Sequence, residues 1–106
     1  MKKGDIVLLP FLFTNLEGSK LRPALVLIAL EDDITVSFIS TKLQSKESSD
    51  LILLPDDKNG LKKESILKLS KIATISIDLI IGQLGELSLR EIELVNKNLK
   101  TLFQIN

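Results

Sequence analysis

The sequence has no cysteine, histidine, tryptophan or tyrosine, and only four phenylalanines and three prolines in 106 residues. Without cysteine there is no disulfide and no thiolate metal site. Without cysteine and histidine, a Cys or His nucleophile or base is excluded, and so is a His/Cys zinc or copper centre. A Ser-His hydrolase scheme fails for the same reason. Carboxylates can still hold magnesium or calcium, but no EF-hand spacing is present. The missing cysteines fit a reducing compartment. Formal net charge is zero, which argues against strong non-specific binding to polyanions. No apolar run reaches the roughly 18 residues of a membrane span. The opening MKKGDIVLLPFLF has the lysines and apolar run of a leader peptide. However, Asp5 interrupts its start, Pro10 breaks the run, and no small-residue cleavage site follows. It reads as a first strand, and the expected location is the cytoplasm.

What is present is mostly Leu, Ile and Val, within an apolar fraction of 44%. That is a globular balance rich in β-branched residues. The length suits a single domain, residues 1–106, with one core. Ile6–Leu9 and Ala24–Ala29 are short apolar runs, read as strands buried on both faces. Glu31-Asp32-Asp33 is an acidic turn before the strand Ile34–Ile39, so the pair reads as a hairpin. Gln44–Ser49 is a polar loop, Leu51–Leu54 a strand ended by Pro55, and Asp56–Gly60 a turn. Ser65–Ser70 and Ile72–Ile77 have strand composition, and Ile80, Ile81 and Leu84 suggest one more strand or a short turn.

The period then changes. Ser88 with Glu91 forms a capping box, and Leu87 and Ile92 sit at staple positions. Ile92, Val95, Leu99 and Leu102 make one apolar stripe, predicting an amphipathic helix over about residues 88–103. Several close strands and one terminal helix imply a small, curled, mainly β domain of antiparallel strands.

Arg22 is the only arginine before Arg90. Pro23 holds it in extended backbone, which fixes where its guanidinium points. A fixed fork of donors suits phosphate or carboxylate. It equally suits a strand-start surface charge paired with Glu17. Glu17 reads as a general base, as a partner for Arg22, or as a solvated loop acid. Ser40 and Thr41 end the third strand, where hydroxyls can donate to phosphate. Lys68 and Ser70 lie in an apolar strand, with Lys68 either stabilising an anion or facing solvent. Lys58 to Lys71 holds five lysines against Glu64, which allows a locally basic face on a neutral chain. Phe11 or Phe13 could stack a base, whereas Phe38 and Phe103 read as core.

In order along the chain, GDIVLLPFLFTN, GSKLRPALVL, VSFISTKL, SILKLSKIATI and LGELS before a last helix resemble the MazF/PemK family of bacterial toxins. The resemblance runs from Gly4 to about Leu102 and is specific as an ordered set. It implies an SH3-like small β-barrel with a C-terminal helix, usually a homodimer. It also implies a metal-independent endoribonuclease cutting single-stranded RNA, with no cofactor, blocked by a cognate antitoxin. The implied chemistry is attack of the RNA 2′-hydroxyl on the adjacent phosphate. By resemblance Arg22 contacts the scissile phosphate, Ser40 and Thr41 bind it, and Glu17 is the candidate base. Lys68 stands where some relatives carry arginine, and Ser70 where they carry aspartate. Lys20, Lys42 and Phe13 complete the expected RNA-binding set. Two other readings stay open: a catalytically weak or inactive binding module of the same fold, and a toxin acting on a protein target.

Overall fold

A computed structural model describes residues 1–12 and 19–106 of the chain. The strands are β1 (Asp5–Leu12), β2 (Ser19–Ala29), β3 (Asp33–Ser40), β4 (Leu51–Leu53), β5 (Ser65–Ser76) and β6 (Gly82–Glu86), followed by helix α1 (Leu89–Leu102). They form a single sheet in the order β4-β5-β3-β2-β1-β6, with every neighbouring pair antiparallel. The sheet curls into a half-barrel of mostly β structure with one C-terminal helix, as the sequence pattern implied.

The strands are apolar on both faces because the curl gives each face something to bury. Side chains alternate sides along a strand. Ile6, Leu25, Leu27, Leu67 and Leu69 enter one core cluster, while Val7, Ala24, Val26, Ile34 and Val36 enter a second. Each fully buried Ile, Leu or Val side chain contributes roughly 1.5–3 kcal/mol. Helix α1 covers the first cluster. Val95 is buried in it, and Ile92, Leu99 and Leu102 pack against it. Ser88 caps the helix as its spacing predicts: its Oγ accepts from the Glu91 N–H, and the Glu91 carboxylate accepts from the Ser88 N–H.

Two glycines permit close approaches that hold the ends together. Gly4 has φ +98°, and a Cβ there would lie 2.6 Å from Ile92 Cδ1. A Cβ on Gly85 would lie 2.0 Å from the Lys58 carbonyl oxygen, because β6 runs directly against the Asp56–Gly60 turn. Asn59, wholly buried, stabilises that turn by donating to the Leu54 carbonyl and accepting from the Asp56 and Leu61 N–H groups.

Some elements differ from the sequence reading. β2 begins at Ser19, so Arg22 lies inside a long strand and not at its mouth. The pieces Ser65–Ser70 and Ile72–Ile77 are one strand, β5. Ile77–Leu79 is a 3₁₀ turn, and the last strand starts beyond it at Gly82. Phe103 is not core. It is 55% exposed, because it follows the end of α1 and the helix stripe already fills the site.

Candidate functional site

A groove of about 510 Å³ is lined by Arg22, Phe38, Ile39, Ser40, Thr41, Lys42, Lys68, Ser70, Lys71 and Ile72. Strand register explains why these residues meet. Ala24 pairs with Phe38. Two residues farther along each strand come Arg22 and Ser40, on the same face. Thr41 and Lys42 continue past the end of β3, both exposed. The Ser40 Oγ accepts the Lys42 N–H at 3.1 Å, which leaves its own proton available for donation outward.

The other wall is made by an irregularity in β5. Phe38 pairs with Lys68, but the next residue of β3, Ser37, pairs with Ile72. Leu69, Ser70 and Lys71 therefore have no partner on β3. An expansion of this kind re-aims side chains. Leu69 turns inward and is fully buried, while Ser70 and Lys71 are exposed on the groove. The Lys68 carbonyl at the bulge accepts the buried Ser37 hydroxyl at 2.8 Å.

Lys68 occupies the groove wall, but its charge is used internally. Its side chain is only 10% exposed. The ammonium meets Asp50 Oδ2 at 2.8 Å and Glu47 Oε1 at 3.2 Å, and donates to the Ser45 carbonyl at 2.6 Å. The hydrogen-bonded Asp50 carboxylate, with Glu47 adding to it, outweighs burial and raises the ammonium above its ordinary 10.5. Of the earlier alternatives for Lys68, the solvent-facing side chain is corrected by this burial, and the ammonium reaches the groove wall already paired with carboxylates. A lysine sunk among leucines needs compensating carboxylates. Those carboxylates come from the loop between β3 and β4, which the ammonium holds against the sheet. Asn98 of α1 braces the same loop by donating to the Ser49 carbonyl at 3.1 Å.

Asp50 and Glu47 were not singled out in the sequence. The available signal was Lys68 itself: a lysine in SILKLS must find acids, and the QSKESSD loop supplies them. The Asp50 side chain is completely buried, and its Oδ1 is an orphaned oxygen. Glu47 is 60% exposed, and its Oε1 also lies 3.5 Å from the Ser70 hydroxyl.

Among the expected site residues, the groove thus brings together Arg22, Ser40, Thr41, Lys42, Lys68 and Ser70. Lys20 is exposed on β2 and does not line it. Phe38, expected in the core, is half-buried and forms part of the groove wall while packing on the second cluster. Glu17 and Phe13 lie outside the described residues. Lys71, the last lysine of the basic segment that begins at Lys58, joins the lining because of the bulge. Among the described residues no group of three or more acidic side chains comes together as a metal site. None of the helices described is long and apolar enough to cross a membrane.

The family model for the PemK-like, MazF-like toxin of type II toxin-antitoxin systems matches residues 2–103. The chain belongs to this family. The expected resemblance is thereby established over nearly the whole sequence. No curated protein matches it in sequence. Among solved structures it is similar to the Mycobacterium tuberculosis toxin MazF-mt6, with a TM-score of 0.75 at 20% identity over 96% of this chain and 98% of that one. It is also similar to an endoribonuclease in complex with its cognate antitoxin from Mycobacterial species. There the TM-score is 0.76 at 17% identity, over 100% of this chain and 97% of that one. A further Mycobacterial endoribonuclease aligns at a TM-score of 0.73 and 15% identity, over 98% and 91% of the two chains. At these identities the likeness establishes the fold. The MazF-like residue roles must be argued from this chain's own groove.

Proposed function

We propose that this MazF-like toxin is a metal-independent endoribonuclease that cleaves single-stranded RNA in the groove between β2, β3 and β5. The observation that carries this reading is the convergence of Arg22 with the hydroxyls of Ser40, Thr41 and Ser70 on one wall system. An arginine and several hydroxyls supply charge-assisted donors to the oxygens of one phosphodiester. In the reaction the RNA 2′-oxygen bonds to phosphorus and the 5′-oxygen departs. The products are a cyclic phosphate and a 5′-hydroxyl. Arg22 opposes the charge that builds on the pentavalent phosphorus, where a fixed donor matters most. Ser40 and Thr41 hold a non-bridging oxygen. Lys42 and Lys71 attract the flanking backbone, and Phe38 offers an aromatic edge to a base. From the sequence, Glu17 is one candidate for the base, and Lys20 and Phe13 extend the RNA path.

A cognate antitoxin protein and a second copy of this chain are the proposed partners. Ile52 and Leu54 are exposed two residues apart at edge strand β4, and apolar side chains there suit a protein partner. The setting is the cytoplasm, where RNA is available.

The test is incubation of purified protein with mixed single-stranded RNA in a chelator. Cyclic-phosphate ends are expected. The Arg22→Ala variant should lose at least about 100-fold in cleavage rate while keeping the wild-type fold. Full activity of that variant would remove the mechanism. Intact RNA at high protein excess would favour the binding-module reading, which the internally matched charge of Lys68 also suits.

A further inference from the structure

Cleavage through a 2′-hydroxyl needs a proton acceptor, and this chain has no histidine or cysteine to serve. Relying on the nuclease reading above, we propose that Glu47 is that acceptor. The two carboxylates that meet Lys68 have different surroundings. Asp50 is completely buried, takes the ammonium at 2.8 Å and accepts the Glu47 N–H at 2.8 Å on the same oxygen. It balances the lysine and cannot reach a ligand. Glu47 is therefore in excess over the charge it faces, so the trio carries one net negative charge. Its carboxylate is mostly exposed, and it stands against two groove-lining side chains, Lys68 and Ser70.

The placement is held from several sides. Lys68 ties the Ser45 carbonyl, Asp50 ties the Glu47 amide, and Asn98 ties the Ser49 carbonyl. An anion fixed beside a groove of cations and hydroxyls opposes phosphate binding, and taking a proton is the chemistry that such a carboxylate adds there. In the step, the 2′-hydroxyl proton passes to a Glu47 carboxylate oxygen as the 2′-oxygen bonds to phosphorus. The bond from phosphorus to the 5′-oxygen breaks, and that oxygen takes a proton from water. Glu47 then returns its proton to solvent.

The experiment compares wild type, Glu47→Gln and Glu17→Gln for the pH dependence of cleavage, and for affinity toward a non-cleavable 2′-O-methyl RNA. Glu47→Gln should lower the rate at least about 100-fold and abolish the acid limb of the profile. It should bind the non-cleavable RNA at least as tightly, since an anion has left the side of the groove. Its melting temperature should stay close to wild type, because Asp50 still balances Lys68. A Glu47→Gln enzyme with wild-type rate and profile overturns the assignment, as does loss of the acid limb only in Glu17→Gln. Wild type that cleaves no RNA overturns the nuclease reading itself, and this assignment with it.

Discussion

Lys68 shows how far one residue's surroundings decide its role. In sequence it is a cation on an apolar strand. In the fold it is a buried group whose charge is balanced by the buried Asp50, with the exposed Glu47 also in contact. Removing the cation alone leaves the fully buried Asp50 charged and uncompensated, which typically costs about 3–5 kcal/mol. Lys68→Met should therefore lower the urea midpoint sharply. The double variant Lys68→Met/Asp50→Leu should recover much of the loss. A single variant as stable as wild type would show that the pair is not structural. The pH sign follows from the raised ammonium: its contribution is fully present below pH 10.5 and is lost as pH rises through the higher folded value.

At the scale of elements, local signals and long-range pairing divide cleanly. Helix α1 was legible because its cap, staple and stripe are all within one stretch of chain. The Ser88 hydroxyl satisfies an end N–H that has no partner within the helix. Ser88→Ala should cost about 0.5–2 kcal/mol, read as a lower melting temperature with unchanged groove chemistry. A variant melting at the wild-type temperature would mean that the Leu87 and Ile92 packing alone fixes the helix start. The β5 bulge was not legible. Its three unpaired residues follow from how β5 meets β3, and nothing in SILKLSKIATI announces where the register breaks. Yet that break brings Ser70 and Lys71 to the groove.

For the whole molecule, the first strand of the chain must hold the last, β6, at the sheet edge. Lys2 does this at the surface by pairing with Asp5 at 2.8 Å and Glu86 at 2.9 Å. Burial pushes the Asp5 carboxyl up, but the side-chain and backbone donors of Lys2 outweigh it, so the net shift is downward from 3.8. A lowered acid contributes stability above its unfolded value and loses it as pH falls through the folded one. Wild type should therefore exceed Asp5→Asn in thermal stability at neutral pH, with the gap closing below about pH 3.8. A gap that persists unchanged at lower pH would assign the effect to packing. The partners proposed for this molecule need no large net charge. Its zero balance coexists with local segregation, since Arg22, Lys42 and Lys71 line one groove.

The sequence by itself determined the class of fold, the terminal helix and the family, and it singled out Arg22 as a candidate. Those rest on periodicity, caps, composition and ordered motifs, which neighbouring residues carry. Only the tertiary structure decided that Lys68 is paired, that Phe38 is a groove wall, that Phe103 is exposed, and that Glu47 stands beside Ser70. Each of those depends on residues far apart in the chain being brought together, as Glu47 and Ser70 are across 23 positions. Arg22 was conspicuous as an isolated fixed charge. Its setting became definite once register placed Ser40 beside it and the bulge in β5 built the opposite wall.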